Sequence, residues 1–144
     1  MDLDLRVVPF RAHHYEWLRE SNPTADGGMF VATPAILAQL EAQRSWTGVA
    51  NGNPIVCAGM IQQWPGRYMA WAYLGENARD YMVWITKQTI ALLDKMKGRV
   101  EMTVRADFER GQRWARMLGF YAETPCLKAY GPQGEDHIGF VRIT

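Results

Sequence analysis

Leu3, Leu5 and Val7 alternate with Asp4, Arg6 and Val8 ahead of Pro9, and that period of two predicts a first strand with one wet and one buried face. A helix is expected next, from Ala12 to Glu20, with Tyr15, Trp17 and Leu18 for burial. It should stop at Ser21-Asn22-Pro23, because a residue before proline avoids helical geometry. Pro23 to Gly28 reads as loop. Thr33-Pro34 then opens a second helix, to about Arg44, since the threonine hydroxyl can accept an orphan amide and proline costs no hydrogen bond at the first position.

Trp46 to Ala50, Asn51-Gly52-Asn53-Pro54 and Ile55 to Trp64 read as strand, tight turn and strand, because Asn-Gly tolerates the positive φ that hairpin turns demand. Pro65-Gly66 turns the chain again into a strand from Arg67 to Leu74. Met82, Ile85, Leu92, Leu93 and Met96 recur at helical spacing and predict the longest helix, Asp80 to Lys97, with Gly98 suited to a left-handed cap. Val100, Met102 and Val104 alternate as a strand. Asp107 is placed to cap a helix over Phe108 to Leu118 that Gly119 ends. Phe120 to Tyr130, the turn Gly131-Pro132-Gln133-Gly134 and His137 to Ile143 form a closing hairpin. The order is β-α-α-β-β-β-α-β-α-β-β.

With 144 residues, 48% of them hydrophobic, and no linker, repeat or low-complexity stretch, the chain is expected to form one domain over residues 1–144 with a real core. Sixteen basic residues against 15 acidic ones leave a formal charge of +1, so nothing global draws the protein to nucleic acid or an anionic membrane. Cys57 and Cys126 are too few for a disulfide framework or a zinc knuckle. An acidic start at Met1-Asp2-Leu3-Asp4, and no run near the roughly 18 apolar residues that span a bilayer, point to the cytosol or to an assembly made there.

The element order, with Val100–Val104, Asp107-Phe108-Glu109-Arg110 and Met117-Leu118-Gly119-Phe120, resembles the GCN5-related N-acetyltransferase (GNAT) superfamily over almost the whole chain. That resemblance implies an α/β (α+β) fold, a mixed and mostly antiparallel sheet of about seven strands flanked by about four helices. The tail, Arg113-Trp114-Ala115-Arg116-Met117-Leu118-Gly119-Phe120 with Glu123, Leu127, Tyr130-Gly131-Pro132, Gly134 and Asp136, resembles a narrower group, the GNAT-like proteins of tailed bacteriophages. Some of that group are acetyltransferases and some are internal virion proteins.

In GNAT enzymes the strand before the long helix splays from its neighbour, acyl-CoA lies in the cleft, and amides at the helix start cradle the pyrophosphate, as helix N-termini favour anions. The resemblance therefore implies a cofactor site at Tyr73, Leu74, Arg79, Asp80, Tyr81, Met82, Val83 and Trp84, with acetyl-CoA as the cofactor and no metal. The family loop reads Arg/Gln-x-x-Gly-x-Gly/Ala because small residues let the backbone approach the phosphates. Counted back from Gly98, Arg79 takes the basic position, but Met82 and Trp84 fall where the glycines belong. Two bulky side chains there are expected to obstruct the pyrophosphate, and Glu76 and Asp80 add negative charge.

The family's catalytic tyrosine, four residues before the glycine of Leu-Gly-Phe, is replaced by Ala115, and a frequent asparagine at the start of that helix by Phe108. The fourth strand offers Tyr68, Trp71 and Tyr73 but no carboxylate base, so no catalytic residue is assigned. Glu76 and Tyr130 are candidates for base or acid, with ordinary loop and strand roles as the plain alternative.

Two functions follow. One is an acyl-CoA-dependent N-acetyltransferase with a degenerate pyrophosphate loop, acting on a small-molecule or protein amine. The other is a catalytically inactive GNAT-fold bacteriophage protein with protein partners in the virion.

Three further features have chemistry to offer. Adjacent histidines on a helix point in different directions, so His13-His14 is expected near a helix start and not at a metal. Arg110, Arg113 and Arg116 share a helix face and could hold the CoA 3′-phosphate, a nucleic acid or an acidic neighbour, or simply face water. Of the six tryptophans, Trp71 and Trp114 fit the core by pattern, while Trp64 beside Pro65-Gly66 is a candidate for exposure.

Overall fold

A computed structural model describes residues 3–21 and 32–144. The expected loop from Pro23 to Gly28 lies outside the described residues. Strands β1 (Leu5–Pro9), β2 (Arg44–Ala50), β3 (Asn53–Trp64), β4 (Arg67–Leu74), β5 (Arg99–Arg105), β6 (Tyr121–Leu127) and β7 (His137–Ile143) are interleaved with helices α1 (Ala12–Ser21), α2 (Pro34–Ala42), α3 (Met82–Leu93) and α4 (Glu109–Met117). The strands form one seven-stranded sheet in the order β1-β2-β3-β4-β5-β7-β6. The pairs β1·β2, β2·β3, β5·β7 and β6·β7 are antiparallel, and β4 pairs parallel with β5 over Arg67–Met69 and Arg99–Glu101. The expected element order and mixed sheet are both present.

By contact the chain divides into two compact units. The first contains, among the described residues, 3–21, 32–61 and 70–85. Its core is built from Phe10, Tyr15 and Leu18, Leu37 and Leu40, Thr47, the run Ile55, Val56 and Cys57, and Tyr73 and Ile85. Thr33 caps α2 through its hydroxyl, which accepts from the Ile36 amide, with Pro34 in the first turn as expected. The Asn51-Gly52 turn takes φ of +50° and +88°, which is why an Asn-Gly pair sits between β2 and β3.

The second unit holds residues 62–69 and 86–144. Its core gathers Leu93, Met96, Val100, Val104, Ala115, Leu118, Phe120, Phe140 and Val141 around a fully buried His137. Gly98, at φ +106°, exchanges backbone hydrogen bonds with Thr144, while the Arg99 amide donates to the Gly66 carbonyl. A side chain on Gly98 would collide with the Gly66 backbone at 2.4 Å.

Four local expectations need correction. Leu3 and Val7 are 58% and 43% exposed, because β1 is an edge strand and the buried anchor is Phe10 just beyond it. The second helix ends at Ala42, and Arg44 already pairs with Met60 in β2. The long helix does not run from Asp80 to Lys97: a 3₁₀ turn spans Glu76–Tyr81, α3 proper ends at Leu93, and the Lys95 and Met96 amides close tight turns onto Leu92 and Leu93. Met96 is buried by that tightened end, not by a helix face. Finally, Asp107 does not cap α4. It pairs with Arg105 at 3.0 Å, and Phe108 holds the cap position with no side-chain bond. Gln112 instead reaches back to the Arg105 and Ala106 carbonyls.

Candidate active site at the start of α3

The eight residues singled out from sequence follow one another from the end of β4 into α3, all within the first unit up to Ile85. Gly75 ends the strand, and its amide donates to the Ile55 carbonyl at 2.9 Å. Asn77 ties the 3₁₀ turn to β3 by donating to the Pro54 carbonyl at 3.1 Å. A side chain at Gly75 would meet Leu18 of α1 at 2.7 Å, so a glycine is needed where the turn passes under that helix. The turn then continues into α3 without a break, Met82 having helical φ and ψ of −62° and −32°.

The side chains divide by direction. Tyr73 is buried on the α1 face of the sheet, edge-on to Tyr15 with ring centroids 4.9 Å apart. Burial, with Tyr15 adding to it, pushes its hydroxyl above the ordinary tyrosine range. Leu74, Tyr81, Met82 and Trp84 are half-buried, while Arg79, Asp80 and Val83 are exposed. Trp84 lies against Gly48 of β2. Thr47, the residue before Gly48, faces α1 through His14, so the pleat puts Gly48 and Trp84 on the opposite face of the sheet.

The bulk at Trp84 is thus turned into the sheet and not out in front of the helix start. Arg79 makes no ion pair among the described residues. The surface over this junction therefore offers one free guanidinium, the exposed carboxylates Glu76 and Asp80, and an exposed Val83.

The other candidates are dispersed. Ala115 is completely buried, Phe108 is half exposed, and Tyr130 is exposed with its ring 5.5 Å from that of His137. Arg110, Arg113 and Arg116 are all exposed on α4, Arg116 lying over the Phe140 ring at 5.3 Å. Trp64 is exposed beneath the Arg67 guanidinium, 4.7 Å from its ring. Trp71 packs edge-on to Phe10 and Trp114 donates to the Thr86 hydroxyl at 2.9 Å; both are half-buried. His13 and His14 sit in the first turn of α1, and no group of three or more His, Cys, Asp or Glu that could hold a metal occurs among the described residues. Among the same residues no helix is long and apolar enough to cross a membrane.

Two relationships escaped the sequence reading. Gly48 is the partner that admits Trp84, and a glycine inside a strand was the available signal. His14 Nδ1 accepts from the Arg11 amide at 3.0 Å and lies 2.8 Å from the Thr47 hydroxyl. Since an amide can only donate, the neutral ring carries its proton on Nε2.

No family model matches the sequence, and no curated protein matches it. Solved structures do match. Ard1 from Thermoplasma volcanium superposes with a TM-score of 0.79 at 16% identity, covering 97% of each chain. Arabidopsis thaliana Naa50, in complex with the bisubstrate analogue CoA-Ac-MVNAL, gives 0.75 at 10% identity over 97% of this chain and 99% of that one. A GNAT-family acetyltransferase from Bacillus anthracis gives 0.68 at 12% over 96% and 94%. This is the GNAT fold. At such identities the likeness is one of fold, and function has to be argued from the site.

Proposed function

We propose that residues 1–144 act as one GNAT-like domain, an acyl-CoA-dependent N-acetyltransferase with a degenerate pyrophosphate loop. The observation that supports it is the superposition on Ard1 over 97% of both chains, and the same fold in Naa50 accommodates a CoA-containing bisubstrate analogue. The residues at the α3 junction fit a diphosphate group. Arg79 is a cation beside the start of a helix with no ion pair among the described residues, and the two bulky residues in the glycine positions, Met82 and Trp84, are half-buried. Arg79 would hold the phosphates together with the backbone of Asp80, Tyr81, Met82, Val83 and Trp84, and Tyr73 and Leu74 would anchor that stretch to β4. Glu76 and Asp80 oppose an anion there and set a ceiling on affinity.

Bound acyl-CoA would supply the activated thioester. The chain's share is to hold it beside the amine and exclude water, because no tyrosine stands at Ala115 and no polar side chain at Phe108. Proximity then carries most of the acceleration, and the absent acid and base forgo about 10²–10⁴-fold. A second reading is favoured by Ala115 itself, since a buried methyl group cannot protonate a thiolate. On that reading the chain is a GNAT-fold phage component with protein partners in the virion.

Calorimetric titration with acetyl-CoA and with CoA, alongside thermal shift, separates the two, since a ligand that binds only the folded state raises its apparent stability. Micromolar binding is the result expected of the enzyme. Neither heat nor shift at millimolar ligand leaves the assembly role.

A further inference from the structure

β1 is the first strand of the sheet, and among the described residues no strand pairs with its outer edge. Asp4 faces inward: its carbonyl accepts from the Asn51 amide at 2.8 Å and its amide donates to Asn51 Oδ1 at 2.9 Å. In an antiparallel pair the residues that bond one neighbour alternate along the strand. Arg6 and Val8 therefore also turn to β2, opposite Val49 and Thr47, and the amides and carbonyls of Leu3, Leu5 and Val7 turn outward. Side chains follow the same alternation. Val7 is opposite Gly48 and Val8 opposite Thr47, so Leu3, Leu5 and Val7 stand on the Trp84 face of the sheet and Asp4, Arg6 and Val8 on the α1 face.

A free edge is normally blocked, because it invites another chain. The opposite edge, β6, is blocked: Pro125 lacks an amide, and the register with β7 shifts between Ala122 and Thr124 and again between Thr124 and Leu127. β1 has neither device from Leu5 to Val8. It shows Leu3 at 58% and Val7 at 43% exposure instead. Its charges are Asp4 and Arg6, whose side chains are 51% and 71% exposed and joined through Arg6 Nε at 2.9 Å. That bond leaves the terminal N–H groups of the guanidinium able to reach a second carboxylate.

We propose that β1 is the interface of a homodimer, in which the sheets of two copies join edge to edge about a two-fold axis at Leu5. Outward groups can bond only outward groups, so Leu3, Leu5 and Val7 must meet their counterparts. An axis at Leu5 sets it against the partner's Leu5 and sets Leu3 against the partner's Val7. In the intervening pairs Asp4 meets the partner's Arg6, and Arg6 meets the partner's Asp4. An axis at Leu3, Asp4 or Arg6 would set like charges opposite each other, and one at Val7 would ask Pro9 for an amide it lacks. In the Leu5 register the exposed leucine and valine cover one another, and the ion pairs fall at the non-hydrogen-bonded positions, where cross-strand side chains come closest. The contact is isologous, the same patch on both copies. It uses none of the eight residues at the α3 junction, so acyl-CoA binding neither supports nor weakens it.

Sedimentation equilibrium of the whole chain, without acyl-CoA, decides it. Contact along one short strand edge is small, so a concentration-dependent dimer is expected. The mean mass should rise from 16.5 kDa towards twice that value, with a dissociation constant of about 300 µM or tighter at low salt, and salt should weaken it by screening the ion pairs. Val7→Pro removes an outward amide but none that bonds β2, and should weaken association at least about tenfold. Circular dichroism shows whether that variant folds, and the charges provide a test that does not depend on it. Arg6→Glu alone and Asp4→Arg alone each set like charges in both facing pairs and should stay monomeric at the same concentrations. Their equimolar mixture restores opposite charges in both pairs and should form a heterodimer about as tight as the wild-type dimer. A mass fixed at 16.5 kDa up to about 1 mM protein, a dimer that persists in both single charge variants, or a mixture that stays monomeric overturns the proposal.

Discussion

The Trp84 ring lies against Gly48 so closely that a methyl group on that glycine would come within 3.1 Å of Trp84 Cζ3 and 2.8 Å of Val56 Cγ1. An indole at the head of α3 is accommodated because β2 has no side chain beneath it. Gly48→Ala should therefore destabilise the protein by about 1–3 kcal/mol, the usual cost of overpacking a filled core. Trp84→Leu, made in the Gly48→Ala background, should recover part of that loss. Chemical denaturation of the four species gives a double-mutant cycle, and additive effects would show that the two residues do not share the space.

Arg79 is exposed and makes no ion pair among the described residues, so reversing its charge should hardly touch folding. For Arg79→Glu the expected change in stability is within about 0.5 kcal/mol, whereas CoA affinity should fall at least about tenfold, or ~1.4 kcal/mol. Calorimetry with CoA and with desphospho fragments checks it. Equal affinities for wild type and variant would remove Arg79 from the site.

How much of this was legible beforehand depends on whether the cause was local. The Asn51-Gly52 turn and the Thr33-Pro34 helix start were readable because each is dictated by its own backbone geometry. Gly98 does take a positive φ, but with α3 ending at Leu93 it does not cap the helix; it lies against Gly66 and pairs with Thr144. Asp107 had the right chemistry for a cap, but Arg105 two residues earlier offered a charged partner and took it. The end of α3 was misplaced because Met96 stays buried in a tightened turn as well as it would on a helix face. At the candidate site, the missing glycines were visible in sequence. The direction of Trp84 was not, since it depends on a residue in a distant strand.

In the second unit, Glu101 of β5 receives Arg67 at 2.8 Å and Arg99 at 2.6 Å, and Arg99 also pairs with Glu123 of β6. Burial pushes the Glu101 carboxyl up, but the bonds from Arg67 and Arg99 outweigh it and hold the group below the ordinary glutamate value of 4.5. Arg99 likewise lowers Glu123, more than its slight burial raises it. A carboxyl with a depressed folded pKa adds stability that is complete above its unfolded value and is lost as pH falls through the folded one. The melting temperature should accordingly drop below about pH 4.5, the unperturbed glutamate range. Glu101→Gln should cost about 2 kcal/mol at neutral pH and flatten that acid limb; a limb that survives unchanged would assign it to other carboxylates.

His14 works in the opposite direction on the charge scale. Burial, then the neighbouring His13 and Arg11, lower its pKa below 6.5, against a smaller opposing pull from Glu41. The unfolded chain therefore binds this proton more readily than the folded one, and the ring's contribution is complete above pH 6.5 and lost as pH falls through the lowered folded value. Protonation would also turn Nδ1 from acceptor to donor and set it against the Arg11 amide. His14→Gln should remove the part of the stability loss that sets in just below pH 6.5 while leaving the carboxylate limb at lower pH in place. Thermal melts of both proteins between pH 5 and 8 decide it, and parallel curves through that window would mean that His14 titrates as it does in the unfolded chain.

The two thiols provide a last contrast. Cys57 is fully buried on β3, and burial pushes its thiol up to about 12 despite a contact with the Thr47 hydroxyl at 3.7 Å. Cys126, on β6, is exposed. Because the thiolate is the nucleophile, a disulfide reagent at neutral pH should modify Cys126 quickly in the native protein, while Cys57 reacts only at the rate at which the first unit opens. Cys126→Ser should then leave a chain that is inert until denatured. Rapid modification of Cys57 in that variant would show that β3 is far more accessible than its packing between β2 and β4 allows.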